Sequence, residues 1–155
     1  MFLTETKSGN KVEALIEPLA HGDFKMIKRS RMFPNFKWDA EKRNEVVKIR
    51  LKNSNEILGL MSLTDFKSEL WILINLLQSS KDNAGAGKKY EGIAGCLIAY
   101  ACRQAFKRGY DGTVALEPKT ELAKYYTQKY GMKPFGVHLY TTLENSERLI
   151  EEYLN

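Results

Sequence analysis

The residues of this chain best suited to chemistry form a glycine-bearing turn, Lys89-Tyr90-Glu91-Gly92-Ile93-Ala94-Gly95; the tyrosines Tyr125, Tyr126 and Tyr130 ahead of Gly131 read by themselves as a core-facing aromatic cluster. The turn follows a nearly unbroken apolar run over residues 70–77 and precedes a helical pattern over residues 93–108, closed by Gly109. A buried strand, small residues and then a helix make a concavity whose first-turn amide hydrogens have no intrahelical acceptor. Such a site suits an anion such as a pyrophosphate. Lys88 and Lys89 add positive charge there. Gly92 and Gly95 have a second reading, close packing of the helix on the sheet, which residue types alone do not separate from the first.

Other reactive side chains are sparse. Glu117 follows the short apolar run 113–116 and is the first candidate for a general base; Asp65 and Glu69, flanking the apolar run at its start, are weaker ones. Gln78 at its exit cannot take a proton. His21 and His138 lie far apart with no acidic or Cys partner at metal-ligand spacing. Cys96 and Cys102 share one predicted helix at a six-residue step, roughly 120° apart around its axis, which reads as two core thiols rather than a pair. Trp38 and Trp71 read as packing residues. Two nucleotide-binding patterns are excluded directly. Gly87-Lys88 is followed by Lys89 rather than a hydroxyl residue, and Gly85-Ala86-Gly87 lacks the third glycine, with Tyr90 at its position.

The elements that must position these groups can be read in order. Residues 12–19 predict a strand, and 46–51 and 57–63 two more, joined at Asn53-Ser54-Asn55 as a hairpin. Residues 21–42 mix basic and aromatic side chains and leave short helices or a flexible arm open. The buried strand 70–77, a loop over 79–88 and the helix 93–108 follow. Ile93, Leu97, Tyr100, Ala101 and Ala105 recur at three- and four-residue steps, which packs one side of that helix on a sheet. A strand at 113–116, a helix at 121–130 ended by Gly131, a strand at 137–142 and a helix at 146–154 complete the chain. The fold class expected is α/β of the α+β type. It is a single domain over residues 1–155, with a mixed twisted sheet, an antiparallel N-terminal part, a central parallel β-α-β crossover and helices on both faces.

Composition bounds the rest. The chain has 155 residues, is 43% hydrophobic and carries 24 basic against 19 acidic residues, a net +5. No apolar run reaches the ~18 residues of a membrane span, and no basic flank precedes an apolar leader, so a cytoplasmic protein without a membrane partner is expected. The basic excess suits a polyanionic small molecule or a solvated face; a nucleic-acid partner is weakly supported, since no known nucleic-acid-binding pattern accompanies the charge.

From residue 57 to 134 the chain resembles the Gcn5-related N-acetyltransferases (GNAT), whose Gln/Arg-x-x-Gly-x-Gly/Ala pattern opens the central helix. Here it reads Lys89-Tyr90-Glu91-Gly92-Ile93-Ala94, with Lys89 in place of Gln or Arg. The resemblance implies the acyl-CoA N-acyltransferase fold and acetyl-CoA as cofactor. It implies cofactor contacts from Leu77, Lys88, Lys89, Tyr90, Gly92, Ile93, Ala94 and Gly95, with a backbone amide near Leu77 facing the acetyl oxygen. A tyrosine of the 121–130 helix would protonate the departing thiolate. Counting from the helix start favours Tyr126 over Tyr125, because adjacent helical residues point ~100° apart. The implied activity is N-acetyl transfer to an amine, with the acceptor undefined and residues 21–42 walling its side or making a homodimer contact. Two alternatives remain beside it: a catalytically silent acyl-CoA-binding or regulatory module, and a basic nucleic-acid-binding domain.

Overall fold

Val46, Val47 and Ile49 are buried along a strand whose alternate Lys48 and Arg50 reach for carboxylates, and this pattern sets the first half of the sheet. The computed structural model describes all 155 residues. Its elements are β1 (Phe2–Glu5), β2 (Lys11–Pro18), α1 (Asp23–Ser30), β3 (Glu45–Leu51), β4 (Gly59–Phe66), β5 (Trp71–Ser79), β6 (Tyr90–Glu91), α2 (Ile93–Lys107), β7 (Val114–Leu116), α3 (Ala123–Tyr130), β8 (Lys133–Phe135), β9 (His138–Thr141) and α4 (Leu143–Leu154). All nine strands belong to one mixed sheet in the order β6-β1-β2-β3-β4-β5-β7-β9-β8. No helix is long and apolar enough to cross a membrane.

The chain divides into two compact units. The first comprises Met1–Ser62 and Leu76–Leu97. In it β1, β2 and β3 form an antiparallel meander, with Ala14 opposite Leu51 and Pro18 opposite Val47, and β6 adds antiparallel to the outer edge of β1. The segment 21–42 becomes α1 and a 3₁₀ turn, Trp38–Glu41. Its short helix starts where the Asp23 carboxylate accepts the Ala20 amide at 2.8 Å and the Lys48 ammonium at 2.6 Å. Ile27, Phe33 and Trp38 then pack on Val46 and Leu60.

The second unit comprises Leu63–Asn75 and Ile98–Asn155. Here β7 pairs parallel with β5, as the crossover requires, and β9 and β8 follow antiparallel. The end of α2 is closed by Gly109 at φ +84, with the Tyr110 amide reaching back to the Ala105 carbonyl. Asp65 accepts from the Arg108 guanidinium at 3.0 Å and the Tyr110 hydroxyl at 2.8 Å. It therefore anchors the α2 end, which gives it a structural role rather than that of a base. Gly131, at φ +67, ends α3.

Three strands depart from the expectation. β1 and β8 are short segments with little periodicity to read, and β6 arises inside a stretch read as a turn. In addition, α4 starts at Leu143, three residues before the expected position.

Candidate functional site

The Gly92 turn lies within the first unit and is built by its neighbours. The Asn83 side-chain oxygen accepts the Tyr90 amide at 2.9 Å, and the Asp82 carbonyl accepts the Lys89 amide at 3.1 Å. The Thr6 amide donates to the Lys89 carbonyl at 2.9 Å. Lys89 and Tyr90 thus spend their amide hydrogens on the scaffold, which narrows the donors expected over residues 89–95. At Gly92 the backbone turns with φ +100, a conformation that side-chain-bearing residues rarely adopt. A Cβ at Gly92 would find its nearest neighbour, Leu3 Cδ2, at 3.6 Å. Dihedral angle rather than lack of room is what calls for glycine there.

The first intrahelical bond of α2 runs from the Cys96 amide to the Gly92 carbonyl at 2.9 Å. The amides of Ile93, Ala94 and Gly95 therefore precede the helix ladder, at the positive end of a 15-residue helix. Of these three residues Ile93 and Gly95 are buried, while Ala94 is half-buried. Lys88 and Lys89 are near at hand in sequence, Lys89 being exposed and 3.7 Å from Asp82.

The pairing of β5 is unusual at its C-terminal end. β7 matches only Ile72, Leu73 and Ile74, so the segment 75–79 runs five residues beyond its parallel partner. The Ile72 amide donates towards β7, to Thr113, whereas the Ser80 amide donates to Leu58 on the β4 side. Residues eight apart in a regular strand face the same way. An odd register step, a bulge, therefore lies between them, and Leu76 and Leu77 are both half-buried within that stretch. Gln78 is buried and accepts the indole N–H of Trp38 at 2.9 Å.

In the second unit the tyrosines of α3 separate by exposure. Tyr125 is 46% exposed, Tyr130 is 2% exposed, and Tyr126 lies between, its ring 5.8 Å from that of Tyr130 and 6.0 Å from that of Tyr125. Burial, and then the nearby Tyr125, push the Tyr126 phenol above its ordinary value, so it stays protonated at neutral pH. Burial pushes Tyr130 up further. Glu117 is exposed immediately after β7, and Glu69 is exposed in the turn before β5. Trp71 stacks on Phe66 with ring centroids 4.5 Å apart, a packing role.

No family profile and no curated protein matches this sequence. Solved structures do. The spermidine/spermine N-acetyltransferase SpeG of Vibrio cholerae, in mutant form, aligns with a TM-score of 0.62 at 12% identity, over 90% of this chain and 98% of that one. AtaT complexed with acetyl-methionyl-tRNAfMet aligns at 0.56 and 15% identity, over 89% and 99%. A GNAT acetyltransferase of Brucella melitensis in complex with acetyl-CoA aligns at 0.57 and 15%, over 84% and 88%. The fold is that of the GNAT acetyltransferases. In the GNAT fold of this chain, the crossover from β5 through the Gly92 turn and α2 to β7 is the part that the sequence pattern located. The bulge in β5 and the scaffolding of the turn by residues 82 and 83 were missed, since neither leaves a residue signature.

Proposed function

We propose that this chain transfers an acetyl group from acetyl-CoA to an amine by direct attack. The observation that carries this reading is the turn at Gly92, a left-handed glycine placed between a strand and the free amides of a long helix. It fits a pyrophosphate, since the three amides ahead of the Cys96 bond lack intrahelical acceptors and the helix dipole is positive there. The unpaired edge of β5 beyond Ile74 and the GNAT fold support the same reading.

Acetyl-CoA, when bound, supplies an activated thioester. The amides of Ile93, Ala94 and Gly95 hold its phosphates, while Lys88, Lys89 and Tyr90 contribute side chains around them. A β5 amide near Leu77 donates to the acetyl oxygen as negative charge builds. Tyr126 gives its proton to the leaving sulfur; a phenol above pKa ~10 is fully protonated at neutral pH and still exchanges with a thiolate near ~8.5. Glu117 accepts the proton that the attacking nitrogen sheds. The balance is simple: a C–N bond forms, the C–S bond breaks, sulfur keeps the electron pair and takes one proton, and nitrogen loses one.

Thiol release from acetyl-CoA over an amine panel, run beside calorimetry with CoA, tests this reading. Binding with release on some amine is expected. Binding without release on any amine would turn the reading to a silent acyl-CoA-binding module, and absence of binding would overturn it.

A further inference from the structure

The first unit holds a second feature that the donor half of the reaction does not use. A cavity of about 650 Å³ opens between α1, the 3₁₀ turn Trp38–Glu41 and the segment joining them. Phe24, Phe33, Phe36 and Trp38 line its body, the last two in edge-to-face contact at 6.3 Å. Arg31, Lys37 and Lys81 line it as well, all exposed and none in an ion pair. Lys28 is the fourth cation, and its nearest carboxylate, Asp39 at 3.8 Å, is the one acidic residue of the lining. The size and the apolar walls suit a small molecule, and the uncompensated cations select its charge.

This charge is not a general property of the surface. Fifteen basic and ten acidic residues fall in the first unit, and nine of each in the second, so the whole net +5 belongs to the unit that holds the cavity. Arg31 adopts a left-handed backbone, φ 57, at the end of α1, a conformation cheaper for glycine.

The cavity is wired to the Gly92 turn. Lys81, on its rim, opens the 3₁₀ turn Lys81–Asn83, whose Asp82 and Asn83 accept the Lys89 and Tyr90 amides. The Lys81 amide itself donates to the Met32 carbonyl at 3.0 Å, beside Arg31. On the opposite wall Trp38 donates to Gln78 at the end of β5. One short turn and one strand end thus serve both features.

We infer that this cavity is a binding site for an anion with an apolar or aromatic body, and that the ligand carries the amine that is acetylated. The second half rests on the proposed transferase reading; the first does not. The anionic group is a carboxylate or a phosphate, since both meet unpaired Arg and Lys in the same way.

A matched probe pair tests the binding half without turnover. 8-Anilinonaphthalene-1-sulfonate and N-phenyl-1-naphthylamine share an aromatic body and differ by the sulfonate. The anionic probe is expected to bind about tenfold tighter than the neutral one, and the Lys37→Glu/Lys81→Glu variant to remove about that margin while leaving the neutral probe unchanged. Lys7→Glu, an exposed lysine outside the cavity, is expected to change neither. Equal binding of the two probes, or indifference to the double variant, overturns the site. RNA that displaces the anionic probe at low salt and releases it steeply as salt rises overturns the small-molecule assignment in favour of a polyanion.

Thiol release with tryptophan against tryptamine, and with pyridoxamine 5′-phosphate against pyridoxamine, tests the acceptor half and separates carboxylate from phosphate. A preference for the anionic member of either pair, lost in the double variant, is expected. Release without such a preference overturns the acceptor role alone. No release on any amine, with probe binding intact, overturns the transferase reading and leaves the binding site supported.

Discussion

Tyr126, the proposed acid, shows how packing sets the protonation of a single side chain. A step of ~100° separates it from Tyr125, and although both rings lie about 6 Å from that of Tyr130, the two are buried to different extents. Packing leaves Tyr125 46% exposed and Tyr126 half-buried against Tyr130. Burial holds the Tyr126 proton above the usual phenol range, which suits a donor and disqualifies it as a base at neutral pH. Tyr126→Phe should lower kcat by about 100-fold or more with an unchanged Kd for CoA. In the wild type the alkaline limb of kcat should lie above pH ~10, because activity needs the protonated phenol and is lost as pH rises through its raised pKa. Unchanged turnover in the variant would assign the acid elsewhere. The helix that carries this tyrosine was legible in the sequence; the half-burial of Tyr126 was not, since it depends on α3 packing Tyr126 beside Tyr130, itself close to Tyr153 of α4.

At the scale of elements, two contacts decide whether the first unit keeps its geometry. A Cβ on Gly59, at the start of β4, would stand 2.6 Å from Ile93 Cγ2, 3.1 Å from Ile49 Cγ2 and 3.3 Å from Leu97 Cδ1. Gly59→Ala should therefore cost about 1–3 kcal/mol by overpacking, read in urea unfolding, and should weaken CoA binding because Ile93 opens α2. Asp23 is the second. Asp23 is 7% exposed, and its carboxylate joins the start of α1 to β3 through Lys48, whose only other carboxylate, that of Glu17, is 3.8 Å away. Asp23→Ala removes the Ala20 and Lys48 partners together and should cost about 1–3 kcal/mol in urea unfolding. It should also weaken the anionic probe, because α1 carries part of the cavity wall. Most elements were legible: β3 from its alternation, α2 from its three- and four-residue steps, the ends of α2 and α3 from Gly109 and Gly131. β6 was not, because two residues carry no period. It forms since Thr6 bonds to Lys89 from 83 residues away in the chain, while Asp82 and Asn83 each hold an amide seven residues on, those of Lys89 and Tyr90.

For the whole molecule, the buried thiols and phenols predict how stability depends on pH. Burial pushes Cys96 to about 11 and Cys102 to about 12, and it raises Tyr126 and Tyr130 as well. Each is neutral when protonated and titrates lower in the unfolded chain, from about 9 for the thiols and 10 for the phenols. Their contribution is thus complete below pH ~9 and is lost as pH rises through the folded values. Urea midpoints should fall steadily from pH 9 to 11, and Cys96→Ala/Cys102→Ala should flatten that slope. A midpoint independent of pH over this range would contradict the burial of these groups. The strand-turn-helix crossover with its glycine-bearing turn and the tyrosine helix were set by the sequence alone, because these rest on local period and spacing. Only the tertiary structure decided which amides remain free at that turn, where β5 loses its partner and changes face, and that the basic and aromatic residues of 21–42 enclose a cavity. Those features are made by partners distant in the chain, and no local rule of residue type encodes which partner a backbone amide will find.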